Sequence, residues 1–231
     1  MSSDPFQDPG PGSASGEAGA SASPPEGGGP VLRLLARGLE LWLRQQCEAI
    51  GHLEIQLTGS AAALLRGRLE GVSLNARRVV FRQLEFEEVE LRSEPIRVRM
   101  GPLLRSQAVQ LDHPFRIRGR VAFSGEGLNR SLAASEWRSL GDGLAEQLLG
   151  LTPLRSLAID GDRLLLSACG VASEEPIRIE ASLGAAEGTV EVRALDGGPT
   201  ARLPMDPNVS IERAELGQGR LQLEGEARVS P

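Results

Sequence analysis

Hydrophobic and polar positions repeat along this chain with two periods. From Val31 to Ile50, Leu32, Leu35, Leu39, Trp42, Leu43 and Ile50 mark one face, while Arg33, Arg37, Glu40, Arg44 and Glu48 fall on another at spacings of three and four. Pro30 stands where a first helical residue is tolerated, so the pattern predicts an amphipathic helix of about 20 residues, roughly 30 Å long. After Gly51 the period drops to two. Leu53, Ile55 and Leu57 alternate with polar residues, and the alternation resumes with Val72, Leu74 and Ala76. Short segments follow: Val79 and Phe81, Leu84 and Phe86, Val89 and Leu91, then Ile96 and Val98 with Met100. Their close spacing predicts an antiparallel meander, because parallel neighbours need long crossovers.

Val109 to Phe123 alternates without a break, with Leu111, His113, Phe115, Ile117 and Val121 in one phase and Arg116, Arg118 and Arg120 in the other. Fully extended, such a strand spans roughly 50 Å, whereas a compact domain of this size is roughly 40 Å across. A long strand that bends, with Pro114 and Gly119 as the bending points, is the expectation. A helical region follows near 127–150, carried by Leu128, Leu132, Trp137, Leu140, Leu144 and Leu148, with Ser135 as a candidate cap. Beyond it, hairpins are predicted around Asp160-Gly161-Asp162, around Gly184 to Gly188 and around Gly217-Gln218-Gly219.

Composition changes this picture at the N-terminus. The chain has 25 basic and 31 acidic side chains, and four of the acids with none of the bases lie in the first thirty positions. The remainder, 25 bases against 27 acids, is nearly neutral, which excludes broad non-specific affinity for nucleic acid. Residues 1–29 are rich in Gly, Pro, Ser and Ala and read as a disordered leader. Residues 30–231 read as a single domain. All bases are Arg and Tyr is absent, a bias that a GC-rich coding sequence produces. Two cysteines make no disulfide framework, and neither a secretory signal nor a membrane span is visible, so a cytoplasmic placement is expected.

Enzymatic chemistry is sparsely supplied. No phosphate-binding glycine loop, nucleophile elbow or paired-cysteine metal spacing is present, and no catalytic residue, metal ligand or cofactor is assigned. His113 shares the phase of Leu111 and Phe115 and is expected to point inward. Asp160 and Asp162 fit a hairpin turn better than a calcium loop. The run Glu85, Glu87, Glu88 and Glu90 reads as a solvated strand face. More informative is the separation of an aliphatic face from an Arg-bearing one. It suits an apolar groove whose rim guanidinium groups meet phosphates.

Leu41-Trp42-Leu43-Arg44 with Gln46, then Leu53-Glu54-Ile55-Gln56-Leu57, then Gly67-Arg68-Leu69 through Val72, Ala76 and Val80 to Ile96-Arg97-Val98, and finally Pro204-Met205-Asp206-Pro207-Asn208-Val209, occur in an order that resembles the LmeA-like phospholipid-binding family. The likeness is to the form common in photosynthetic bacteria and covers roughly residues 30–230. It implies a relative of tubular lipid-binding proteins: an α+β fold in which a long, highly twisted antiparallel sheet wraps around the N-terminal amphipathic helix. It also implies binding of a phospholipid or another acyl lipid without catalysis.

Together these readings place Leu35, Leu39, Trp42, Leu111, Phe115, Ile117, Val121 and Phe123 in a lipid-binding groove, and Arg97, Arg99, Arg116, Arg118 and Arg120 at lipid headgroups. The expected partner is a phospholipid or membrane surface, with the protein peripheral on its cytoplasmic face. The alternative is a scaffold or assembly factor that holds a partner protein's helix in the concave sheet. Oligomeric state is left open.

Overall fold

A computed structural model describes residues 29–99, 111–169 and 175–231. The expected leader, apart from Gly29, and the positions Met100, Val109 and Gln110 lie outside the described residues.

The first helix, α1 (Pro30–Gln46), has Pro in its first turn and ends where the Cys47 amide donates to the Leu43 carbonyl. It stops short of Ile50 because Ile50 is already paired with Val79 in a sheet. The first strand, β1 (Ala49–Thr58), starts that sheet, and a short helix α2 (Ala61–Leu65), capped by the Ser60 hydroxyl, and a two-residue strand β2 (Arg68–Leu69) follow. The next strands are β3 (Gly71–Phe81), β4 (Leu84–Ser93), β5 (Ile96–Arg97), which pairs with β2, and β6 (Phe115–Ser124). Helices α3 (Gly125–Ala133) and α4 (Arg138–Leu149) come after them. The chain then makes β7 (Leu154–Asp160), β8 (Arg163–Ala168), β9 (Ile177–Ala186), β10 (Thr189–Ala194), β11 (Thr200–Arg202), β12 (Val209–Gly217) and β13 (Arg220–Val229).

Beside the two-stranded β2-β5 pair, two larger antiparallel sheets result, one of six strands in the order β1-β3-β4-β6-β13-β12 and one of five in the order β11-β10-β9-β8-β7. The α+β class and the large antiparallel sheet with an N-terminal helix agree with the sequence. The predicted helical region and the three hairpins are also present, with tight turns at Gly161-Asp162, Glu187-Gly188 and Gln218-Gly219.

Four expectations need correction. The long strand does not run unbroken from Leu111 to Phe123: β6 starts at Phe115, and Leu111 makes only an isolated bridge with Val98. Pro114, which has no N–H to donate, separates the two. His113 does not point inward. Its side chain is 62% exposed, with Nδ1 3.0 Å from an Asp112 carboxylate oxygen, because the strand phase that would have buried it does not reach it. The short segments between Val72 and Leu91 are two long strands, turning at Arg82-Gln83 with both residues at positive φ. No glycine marks that turn. It is held from outside by the Trp137 indole N–H, which donates to the Arg82 carbonyl at 2.7 Å, and by the Gln83 side-chain carbonyl, which accepts from the Ser135 hydroxyl at 3.2 Å. Ser135 is thus not a helix cap, and the break between α3 and α4 falls at Ala134–Trp137, while Gly141 and Gly143 sit inside an unbroken α4. A Cβ on Gly141 would stand only 3.0 Å from a Leu154 methyl, so the glycine lets the helix approach β7 closely.

Two clusters of buried side chains organise the molecule. The larger lies where α3 and α4 cover the five-stranded sheet; Leu132, Leu144, Leu148, Leu157, Leu164, Leu166, Val190 and Val192 are its centre, and Ala214 of β12 joins it. The smaller, Leu53, Ala76 and Val79 with Leu43, Cys47 and Phe86, lies between α1 and the other sheet.

The acidic run Glu85 to Glu90 is mostly half-buried and paired rather than freely solvated, to Arg130, Arg220 and Arg77. Arg130 of α3 grips Glu85 through Nε at 2.8 Å and Nη2 at 2.6 Å, while the Glu85 amide donates to the Ser131 hydroxyl at 2.9 Å. This hydrogen-bonded guanidinium holds the Glu85 carboxyl below its ordinary range, outweighing burial, which pushes it upward. A depressed folded-state pKa means the contribution is complete above the unfolded carboxylate range, near pH 4.3, and is lost as pH falls through the folded value. Glu85→Gln is therefore expected to lower the melting temperature at neutral pH and to make no difference in strong acid. Thermal melts of both proteins across that range check it.

Candidate functional site

The groove under α1 is built by three cross-strand rows. Ile50, Val79 and Phe86 face one another across β1, β3 and β4; Leu53, Ala76 and Val89 form the second row, and Ile55, Leu74 and Leu91 the third. Val121 of β6 extends the second row from beside Val89. Simple alternation would put Ala76 and Val79 on opposite faces. They share one because Arg78 between them is left-handed, with φ 53°, which turns the strand. The same three-residue step occurs at the same rung in β1, from Ile50 to Leu53, and in β4, from Phe86 to Val89. Gly51 faces Arg78 at that rung, and a Cβ there would meet the Arg78 Nε at 2.7 Å.

Trp42, Leu43, Gln46 and Cys47, at the C-terminal end of α1, cover this floor without filling it. A cavity of about 400 Å³ remains between helix and sheet, within the size range of small-molecule sites. Gln46 and the indole N–H of Trp42 are the only conventional side-chain hydrogen-bonding groups among the lining residues. Burial first, and the Glu48 charge second, push the Cys47 thiol upward, so it lines the groove as a neutral, apolar group. Phe123 sits behind Phe86, with ring centroids 4.9 Å apart, and is buried. Trp42 and Phe81 line the groove while remaining about half exposed, and so mark where it meets solvent. The Arg82 guanidinium lies 5.8 Å over the Phe81 ring.

Of the residues the sequence pointed to, Trp42 and Val121 line this groove. Leu39 is half-buried on α1 and Leu35 is exposed. Phe115 and Ile117 are half-buried further along the same face of β6, and Leu111 lies outside that strand. Leu43, Cys47, Leu53, Leu74, Ala76, Val79, Phe86 and Val89 were missing from the sequence-based list. Their apolar character was visible, but the shared three-residue step needed the strand pairing to be read.

The arginines lie elsewhere. Arg116, Arg118 and Arg120 alternate with Val121 and project from the opposite face of the sheet. There Arg120 pairs with Glu224 at 2.7 Å and Arg116 with Glu226 at 3.6 Å. Arg99 pairs with Asp112 at 3.4 Å, and Arg97 faces Arg68 across β5 and β2. Arg78 and Arg82 are exposed cations next in sequence to the lining residues Val79 and Phe81, and the Arg44 guanidinium donates to the carbonyl of Ile50 at 3.3 Å.

No group of three metal-ligating side chains occurs among the described residues, and none of their helices is long and apolar enough to cross a membrane. No curated protein and no solved structure matches the chain. A sequence family does. Its match runs over residues 29–226, from α1 through every element of the groove and into β13, and this makes the chain a member of the LmeA-like phospholipid-binding family.

Proposed function

We propose that this protein binds a phospholipid or another acyl lipid non-enzymatically, with an acyl chain in the groove between α1 and the six-stranded sheet. The observation that carries the reading is the cavity itself: about 400 Å³, lined almost wholly by apolar side chains. Such a lining offers a polar ligand few hydrogen-bond partners, whereas an acyl chain needs none. At about 0.8 kcal/mol per buried methylene, a chain of roughly 16 carbons contributes on the order of 10 kcal/mol before ordering costs.

In this reading the phosphate meets Arg78 and Arg82 beside the exposed end marked by Phe81, rather than Arg97, Arg99, Arg116, Arg118 or Arg120. The six-stranded sheet curves round the helix as the wall of the groove, and the protein works from the surface of a membrane on its cytoplasmic side. Solvent extraction and native mass spectrometry of the purified chain test the reading. Co-purified acyl lipid near one per protein is expected. Protein that carries none, and that takes up none from detergent-dispersed phospholipid, would refute it.

A further inference from the structure

Helix α1 carries three stripes rather than two. Leu32, Ala36, Leu39 and Leu43 recur at helical spacing and are buried or half-buried. Val31, Leu34, Leu35, Leu41 and Trp42 form a second apolar stripe, and it is exposed, reaching 73% at Leu34 and 64% at Leu41. Arg33, Arg37, Glu40 and Arg44 form the third, along one edge of the second. Sequence alone showed one apolar and one polar face; the packing of α1 divides the apolar face and leaves half of it outside.

The charges on the third stripe are simpler than their mixture suggests. Glu40 is engaged by Arg44 one turn later, at 3.2 Å. Arg33 and Arg37 are exposed and hold no carboxylate among the described residues. Two guanidinium groups with no carboxylate partner among the described residues thus flank an outward row of Leu, Val and Trp on a helix roughly 25 Å long. A helix with that cross-section lies in the plane of a membrane interface, its apolar side chains among the acyl chains and its Arg at the phosphates.

We infer that the outward stripe of α1 is a docking surface for an anionic lipid bilayer, inserted through Leu34, Leu41 and Trp42 and held by Arg33 and Arg37. Charge complementarity selects this occupant: a second copy docked helix to helix would bring like-charged arginines together. Trp42 belongs both to the stripe and to the groove lining, so docking sets the groove mouth against the lipid. The inference deepens the lipid-binding reading and rests on it for its purpose, but the stripe is independent of what fills the groove.

The test is flotation of the full chain with vesicles of phosphatidylcholine, alone and mixed with phosphatidylglycerol, together with tryptophan emission and native mass spectrometry of each variant. Flotation only with the anionic vesicles, weakened by salt, and a blue shift that disappears in Trp42→Phe, are expected. Arg33→Gln with Arg37→Gln should weaken vesicle binding by at least ten-fold, at the usual contribution of a basic residue near an anionic surface. Leu34→Glu with Leu41→Glu should abolish it, while the groove keeps its lipid. If these variants float like the parent, or the parent never floats although its groove holds lipid, the docking surface is wrong and the groove reading stands. Flotation that depends on the stripe, in a protein whose groove is empty, has the opposite meaning. A dimer that Leu34→Glu with Leu41→Glu dissociates would also overturn the inference by assigning the stripe to a second copy.

Discussion

Val121→Trp is expected to empty the groove. Val121 stands on β6 beside Val89 and faces the cavity, half-buried because no described residue fills the space before it. An indole there occupies room that an acyl chain would take. If it excludes half of a chain, about eight methylenes, roughly 6 kcal/mol of burial is lost, which corresponds to more than a thousand-fold in affinity. Adding bulk to a packed core would cost about 1–3 kcal/mol of stability, but an open cavity receives the ring without that overlap, so folding should be little changed. Native mass spectrometry should find the variant free of lipid with its melting curve intact. Val121→Ala, which enlarges the cavity, should keep its lipid. Parental lipid content in Val121→Trp would place the ligand somewhere other than this groove.

The second large effect concerns the other cluster. Leu164, at the start of β8, is 1% exposed and packs where α3 and α4 meet the five-stranded sheet. Truncation there leaves a cavity that surrounding side chains, already in contact on every side, cannot close. Leu164→Ala is expected to cost about 3–5 kcal/mol in chemical denaturation. Leu53→Ala, on the groove floor, removes the same atoms from a site that borders open space and therefore loses fewer contacts. It should cost less, about 2 kcal/mol in lipid-free protein. Equal losses would mean that the groove is as tightly filled as the larger cluster, and would count against its being a binding site.

The contrast between these leucines shows how far residue type alone can be read. Both are buried leucines on strands among other aliphatic residues; one is enclosed by packed side chains and the other borders a cavity. The hairpins at Gly161, Gly188 and Gly219 were legible because glycine at positive φ is a local requirement that local sequence meets. The Arg82-Gln83 turn was not, since neither residue favours positive φ and the contacts that hold it come from Trp137 and Ser135, more than fifty residues away in sequence. His113 was misplaced because phase propagates only as far as the strand does, and the strand stops at Pro114.

Periodicity by itself determined the amphipathic helix, the antiparallel strands and their hairpins, and a helical region between two stretches of strands, because helix and strand periods and turn chemistry are set by neighbouring residues. The order of modest motifs was enough to indicate the family. Only the tertiary structure decided which apolar residues share a face. Arg78 turns its strand in step with β1 and β4, so the groove runs through Ile50, Val79 and Phe86 as well as Leu53, Ala76 and Val89, and the arginines of β6 face away from it. Packing also decided that α1 buries one side of its apolar face and leaves the other exposed. A helix records in sequence how wide its apolar face is, but not how much of that face its own sheet will cover.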